Sequence, residues 1–233
     1  SRRQRQMCIR DSYKPQENVS LYLSYSESFL PRSGEQFKSL SATSARLDPD
    51  VFESTEVGMK VALPNNMSLT AAYFDSEQVR AERDNDTGET SEVRGLTVDG
   101  FEIELKGRVN DGLNLAIAYS DLSGETSSGG IPREIPEHTL SAFAAWEVNE
   151  KLSVALGLTQ QGESKIKDNT PGLVLPEYTR VDLSAYYQVA PNLSVQMNVE
   201  NLMDELYFPH SHSTHQASVG ESVNSRVSLR WTY

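Results

Sequence analysis

The stretch LSVQMNVENLMDELYF, residues 193–208, indicates how this chain folds. In its first half, apolar and polar side chains alternate strictly: Leu193, Val195, Met197 and Val199 against Ser194, Gln196, Asn198 and Glu200. A period of two places the two sets on opposite faces of a β-strand. The same alternation recurs in LSVALGLT, residues 152–159, so the pattern is a property of the chain and not of one segment.

Along the whole chain, the alternation predicts about ten strands, many of them near the 9 to 11 residues that a tilted strand needs to cross a bilayer. They are residues 19–29, 52–63, 67–79, 98–109, 113–122, 138–148, 152–162, 178–189, 193–201 and 221–233.

The predicted connections alternate between short and long. Residues 64–66, 110–112, 149–151 and 190–192 are short and rich in turn-forming residues, which suits tight hairpins. Long polar stretches lie between them, at residues 30–51, 80–97, 123–137, 163–177 and 202–220. Outer-membrane barrels have short periplasmic turns and long extracellular loops. A soluble β-sandwich, the competing fold, has no reason to alternate in this way because both of its ends face water.

Composition is compatible with this interpretation and excludes others. Hydrophobic residues make up 37% of the 233 residues and the mean hydropathy is −0.50, with no uninterrupted apolar stretch long enough for a membrane helix. In a barrel strand only every second residue faces lipid, so the mean hydropathy of the chain can be as low as that of a soluble protein. The net charge of −12 argues against a nucleic-acid partner. The sequence therefore predicts an all-β, transmembrane antiparallel β-barrel in the outer membrane of a Gram-negative bacterium.

Two features predict that the chain is a C-terminal portion of such a barrel. An open sheet would leave unpaired strand edges in hydrocarbon, so we expect further strands before Val19. The chain also ends on a predicted strand, at Trp231-Thr232-Tyr233, so we expect the missing strands on the N-terminal side. Aromatic side chains gather toward strand ends, as in the interfacial girdles of barrels.

The first residues do not continue the pattern. SRRQRQMCIRDS, residues 1–12, is basic, lacks the apolar stretch of a signal peptide, and looks like translated read-through of a sequencing adaptor. We expect residues 1–13 to be non-native, with a native strand end as the alternative, and residues 14–233 to be barrel. Cys8, the single cysteine, excludes an intrachain disulfide.

Several segments resemble TonB-dependent siderophore receptors. Tyr25-Ser26-Glu27-Ser28-Phe29, Glu56-Val57-Gly58-Met59-Lys60 and Tyr178-Thr179-Arg180-Val181-Asp182 are similar to strands of that family. The Asn201-Leu202-Met203-Asp204 segment before Tyr207 is the most specific element, although the family usually has Phe where this chain has Met203. The terminal strand is similar to the family's closing strand, whose last aromatic residue is read by the outer-membrane assembly machinery. That makes Trp231 and Tyr233 the expected assembly signal.

The resemblance implies a 22-stranded barrel with an N-terminal plug, and import of a ferric siderophore energised by TonB. In this family the lumen-facing charges contact the plug. The chain would contribute roughly the last ten strands, and its expected partners are a ferric siderophore, TonB through a plug outside this sequence, outer-membrane lipid and the assembly machinery. A passive porin-like barrel or an adhesin translocator is the alternative, and the sequence upstream would discriminate them.

Candidate site residues are few. In the long 30–51 connection, Arg32, Phe37 and Lys38 could meet an anionic ferric chelate through charge and ring stacking. In the last long connection, His210, His212 and His215 could offer imidazoles to a ligand or metal, although a polar surface loop is the simpler explanation. No nucleophile-and-base pattern or phosphate-binding glycine loop occurs, so we expect no enzyme activity and no resident cofactor.

Overall fold

The structure is a computed structural model that describes residues 7–30, 50–83, 90–167, 170 and 172–233. These residues form strands and turns. Within these ranges no helix is long and apolar enough to cross a membrane. The strands are β1 (Met7–Gln16), β2 (Val19–Leu30), β3 (Asp50–Leu63), β4 (Met67–Arg83), β5 (Thr90–Asn110), β6 (Leu113–Thr126), β7 (His138–Glu147), β8 (Leu152–Gln161), β9 (Ser164–Lys165), β10 (Val174–Leu175), β11 (Tyr178–Ala190), β12 (Leu193–Glu200), β13 (His210–Ser213), β14 (Gln216–Ser218) and β15 (Asn224–Trp231).

One antiparallel sheet of eleven strands carries the fold, in the order β1-β2-β3-β4-β5-β6-β7-β8-β11-β12-β15. Every strand pairs with the next long strand in the chain. The two small ladders, β9 with β10 and β13 with β14, lie inside the long connections after β8 and β12. All ten strands predicted from the alternation are present, and the meander is the topology of an up-and-down barrel wall.

The pairing register sorts side chains into two faces. Leu23, Val57, Tyr73 and Phe101 stand side by side across β2 to β5, and their exposed fractions are 56%, 54%, 50% and 45%. Such a continuous exposed apolar surface is rare on soluble monomers but is what a lipid-facing belt requires. We therefore assign this face to lipid.

The opposite face is polar. The register brings charged side chains from several strands onto it: Glu56, Lys60, Glu102, Glu104, Lys106, Asp182, Arg226 and Arg230. Hydroxyl groups pair directly across neighbouring strands there, as in the 2.6 Å contact between the side chains of Ser120 and Thr139. This face lines the barrel interior.

Turn chemistry explains the short connections. Asn65 and Asn66 have φ values of 59° and 57°, the left-handed pair that a two-residue hairpin turn needs and that Asn tolerates well. At the next short turn, the Asn110 side-chain oxygen accepts a hydrogen bond of 2.9 Å from the Gly112 amide. Asn149 does the same for the amides of Lys151 and Leu152, at 2.9 and 3.1 Å. The short turns predicted at residues 64–66, 110–112 and 149–151 are thus confirmed.

The expected loop at residues 80–97 is wrong for most of its length. Beyond a bulge at Gln78 and Val79, residues 79–83 pair with residues 90–94, so β4 and β5 run well past the predicted strand ends. The prediction failed because this extension has no apolar alternation. A strand pair above the membrane has no lipid to face, so backbone pairing suffices without that pattern.

Residues 7–13 belong to the segment that the sequence predicts to be non-native. They lie in β1 and pair with β2, from Met7 opposite Glu27 to Tyr13 opposite Leu21. This register puts Asp11 opposite Leu23, a residue of the lipid-facing belt. Pairing alone does not decide where residues 1–13 come from, so their non-native origin stays a prediction.

Burial is sparse, as expected for a wall one sheet thick. Among the described residues, the buried hydrophobic side chains are Tyr22, Leu175, Tyr178 and Tyr207. Three of these are tyrosines, and two of them, Tyr178 and Tyr207, lie together at the loop end of β11.

Candidate functional site

A recess of ≈ 370 Å³ opens at the long-loop end of β11, β12 and β15. Its wall combines side chains from these three strands with the connection between β12 and β15. It is lined by Arg180, Glu200, Asn201, Tyr207, Pro209, His210, Ser218, Val219, Gly220, Glu221 and Asn224. The volume lies in the range of small-molecule pockets, and the lining mixes charged, amide and aromatic groups that suit a polar ligand.

Asn201 is the centre of this wall, with 1% of its surface exposed. Its side-chain nitrogen donates to the carbonyls of Glu205 and Glu221, both at 2.9 Å. Its side-chain oxygen accepts from the Glu205 amide, also at 2.9 Å. The backbone has φ of 52°, a left-handed conformation that Asn adopts more readily than most residues. Asn is suited to this position because its amide both donates and accepts hydrogen bonds.

Asp182 links Asn201 to the Arg180 guanidinium, which lines the recess. One carboxylate oxygen accepts a hydrogen bond from the Asn201 backbone N–H at 2.9 Å, and the other accepts two from the Arg180 guanidinium, at 2.8 and 3.1 Å. The remaining terminal nitrogen of Arg180 donates to the Tyr207 hydroxyl at 3.1 Å. The Arg180 charge is therefore balanced by Asp182, while Glu200 and Glu221 add two further carboxylates to the lining.

Aromatic packing completes the wall. The Tyr207 ring lies 4.8 Å from the Tyr178 ring, between their centroids, and is 6% exposed. It also covers Gly220, where an added Cβ would come within 2.2 Å of the ring. Glycine at 220 is thus required by the approach of Tyr207, and the Gly220 amide donates to the Tyr207 carbonyl at 2.8 Å.

Of the three predicted histidines, the structure brings His210 to the recess. Its Nε2 lies 2.8 Å from the Ser218 hydroxyl across the β13–β14 ladder. His212 is on β13 but its side chain is outside the described part, and His215 is exposed in the turn between β13 and β14. Among the described side chains no group of three His, Cys, Asp or Glu residues has the geometry of a metal site. Arg32, Phe37 and Lys38 lie outside the described residues, so their role stays a prediction.

A second groove, of ≈ 330 Å³, lies on the lumen face along β2 to β7. Tyr22 lies across Gly58, where a Cβ would be 2.5 Å from its ring, and its hydroxyl donates to the Glu56 carboxylate. Glu102 and Glu104 add further carboxylates to the groove, and Lys106 pairs with Glu104 at 2.7 Å. This groove is a charged part of the lumen wall rather than an enclosed pocket.

The predicted assembly residues lie at the opposite end of the last strand. Trp231 is the last residue of β15, faces lipid opposite Leu193, and is 70% exposed, while Tyr233 follows the strand and is fully exposed. Their role in assembly stays a prediction.

Sequence reasoning missed the recess, although it quoted several of the residues that build it. The Asn201-Leu202-Met203-Asp204 segment and Tyr178-Thr179-Arg180-Val181-Asp182 were matched to a family without a role for any side chain. One signal was available: Asn201 and Asp204 sit where the alternation of β12 stops, and Asn or Asp at a strand end favours a turn held by its own side chain.

Comparison with known proteins places the chain in a family. A sequence profile described as "TonB dependent receptor-like, beta-barrel" matches residues 12–202. That match covers most of the chain, including β11 and β12, two of the three strands beside the recess.

Individual relatives agree with this match. The probable TonB-dependent siderophore receptor PiuA of Acinetobacter baumannii is 27% identical over 246 residues, which cover 95% of this chain and 33% of the relative. The ferripyoverdine receptor of Pseudomonas aeruginosa is 27% identical over 242 residues, covering 95% of this chain and 29% of that receptor.

A solved structure gives the same fold. The crystal structure of PiuA from Acinetobacter baumannii superposes with a TM-score of 0.81 at 25% identity, covering 97% of this chain and 35% of that one. The chain thus spans about a third of the length of the relatives it matches. With the profile match, the strand order and the two-faced sheet in agreement, the chain belongs to the TonB-dependent receptor family, whose members are transport receptors, and forms part of an outer-membrane β-barrel wall.

Proposed function

We propose that this chain is the C-terminal part of a receptor that takes up ferric siderophores through the outer membrane with energy coupled from TonB. The observation that carries the proposal is the similarity, over 95% of the chain, to proteins named as siderophore receptors. The recess supports it, because it lies at the long-loop end of the wall, which faces outward in outer-membrane barrels.

In this proposal the described residues supply one side of the ligand path. The recess offers Arg180, His210, Asn224 and the Tyr207 hydroxyl as polar contacts at the outer rim. Arg32, Phe37 and Lys38 would belong to the same rim, since their connection leaves the sheet at the same end as the 202–220 connection. A plug inside the barrel would contact the lumen charges and TonB.

Uptake in whole cells tests the function. The full-length receptor is produced in a host that makes no siderophore and lacks its own siderophore receptors, and ⁵⁵Fe-labelled ferripyoverdine, a ferric tris-catecholate and a ferric hydroxamate are supplied separately. We expect iron accumulation from at least one chelate in cells with TonB and none in matched cells without it. Equal accumulation in both hosts would mean a passive pore, and the absence of uptake from all three would contradict the siderophore assignment.

We also propose that Trp231 and Tyr233 form the signal read during assembly. Both are exposed at the end of the last strand, where a partner can reach them before the barrel closes. Deleting Tyr233 from the full-length receptor should lower the amount of heat-modifiable barrel in outer-membrane fractions, whereas Thr232→Ser should leave it unchanged. An unchanged yield after the deletion would remove Tyr233 from the signal.

Residues 1–13 are proposed to be foreign to the barrel. The family match begins at residue 12, and the pairing of β1 would put the Asp11 carboxylate into the lipid-facing belt opposite Leu23. Reading the gene from genomic DNA of the source tests this directly, because a native origin requires the codons for residues 1–13 upstream of Lys14.

A further inference from the structure

The connection between β12 and β15 is long in sequence, but hydrogen bonds hold its two ends close together. We propose that Asn201 and Asp182 are positioning residues that hold this connection as a fixed wall of the recess, and not as a lid that swings over it. The inference rests on the proposed function in one respect, namely that the recess meets the ligand.

The Asn201 side chain ties two points of the chain that are far apart in sequence. Glu205 lies just after the turn and Glu221 just before β15, and one side-chain nitrogen donates to both of their carbonyls at 2.9 Å. The two ends of the connection therefore meet at one buried atom. Opening the connection at this base would break both bonds, and the loss of these buried hydrogen bonds disfavours opening, since only 1% of Asn201 is exposed.

A second set of bonds closes the same ends independently. The Asp204 carboxylate accepts the Val223 amide at 2.9 Å, and the Gly220 amide donates to the Tyr207 carbonyl at 2.8 Å. What remains between these ties is residues 208–219, and part of that is the paired β13–β14 ladder that carries His210. The recess wall is thus bonded at its base and along its own length.

Asp182 connects this part of the chain to Arg180. The Asn201 backbone N–H donates to one oxygen of the Asp182 carboxylate, and the Arg180 guanidinium donates to the other. Arg180 in turn holds the Tyr207 hydroxyl. Asn201 and Arg180 are not in contact, but both bind Asp182, and Arg180 also binds Tyr207 in the connection. A shift of the connection would therefore also move the Arg180 guanidinium.

Hydrogen–deuterium exchange on the full-length receptor in detergent tests the proposal without any ligand. Asn201→Ala should speed exchange in peptides that contain Glu205, Gly220 and Val223 by about tenfold or more, because the loss of buried hydrogen bonds makes local opening easier. Exchange in β3 and β4 should not change. Asn201→Asp keeps the acceptor for the Glu205 amide but turns a carboxylate oxygen toward the Glu205 and Glu221 carbonyls, which repel it, so exchange of Gly220 and Val223 should rise at least as much as in Asn201→Ala.

Asn198→Ala is the matched control. Asn198 lies three residues earlier on β12, and its side-chain oxygen accepts bonds from Ser184 and Gln196 at 2.8 and 3.1 Å, all within the sheet. It should leave exchange of the connection unchanged. If Asn201→Ala leaves it unchanged as well, or if both Asn201 variants speed exchange equally throughout the barrel, the proposal is overturned.

Transport supplies the second readout. For the chelate that the wild-type receptor takes up among ferripyoverdine, the tris-catecholate and the hydroxamate, Asn201→Asp should raise the KM of uptake at least about threefold at equal receptor amount, with the maximal rate retained, since a displaced wall weakens binding first. An unchanged KM would contradict the positioning role. If the wild type takes up none of the three, the proposed function fails while the exchange experiment still decides this inference.

Discussion

The two ends of the sheet are built by different means. At the short-turn end, asparagines close three of the hairpins: Asn65 and Asn66 through their backbone conformation, and Asn110 and Asn149 through side-chain hydrogen bonds to amides two or three residues later. At the long-loop end, side chains of β11 and of the β12–β15 connection share one hydrogen-bond network around the buried Asn201. The short-turn end only reverses the chain, whereas the long-loop end forms a recess, so burial is concentrated where a ligand would be met.

The comparison presumes that the belt between the two ends lies in lipid. Leu156, in the middle of β8, faces outward and is 47% exposed. Leu156→Arg in the full-length receptor should cost about 2 to 4 kcal/mol if the residue lies near the bilayer midplane, and should lower the yield of heat-modifiable barrel. Ser153→Arg, on the polar face of the same strand opposite Glu147, should assemble normally. Equal yields from the two variants would mean that the faces are assigned wrongly.

The next largest effect is expected from crowding the long-loop end. Gly220→Ala places a methyl group 2.2 Å from the Tyr207 ring, so the ring or the connection must move, at a cost of about 1 to 3 kcal/mol in the free energy of unfolding. Gly157→Ala is the control, because its Cβ would find its nearest neighbour, the Asp182 Cβ, at an ordinary 3.7 Å. Urea unfolding in lipid vesicles measures both. A Gly220→Ala variant as stable as the control would show that Tyr207 does not pack as described.

A smaller effect isolates a single bond of the network. Tyr207→Phe keeps the ring packing and removes the hydroxyl that accepts from Arg180, which should cost about 1 kcal/mol in the free energy of unfolding. Tyr187→Phe removes a hydroxyl from an outward-facing ring that is 46% exposed, and should cost nothing measurable. A loss of the same size in both variants would assign the effect to the tyrosine hydroxyl in general and not to the Arg180 bond.

Much of this fold was predictable because a strand facing lipid on one side and the lumen on the other must alternate. Leu193 to Glu200 and the Asn-rich turns carry that signal in a few residues. The β4–β5 extension was not predictable, since residues 80–83 have no apolar face to reveal a strand. The network was not predictable either: it depends on Asn201 meeting Glu221 and Asp182 meeting Asn201, contacts between residues about 20 apart that no local pattern encodes.

The orientation of the two ends is the central claim, and labelling of single cysteines on intact cells tests it most directly. In a full-length receptor without other free cysteines, which includes Cys8→Ser if residues 1–13 prove native, cysteine is introduced as Asp111→Cys or Glu150→Cys at short turns and as Ser127→Cys or His215→Cys in long connections, all at exposed positions. A membrane-impermeant maleimide should label the Ser127→Cys and His215→Cys variants and leave the other two unlabelled until the outer membrane is permeabilised. Labelling of the Asp111→Cys and Glu150→Cys variants on intact cells, with the other two protected, would place the recess on the periplasmic side and contradict the account.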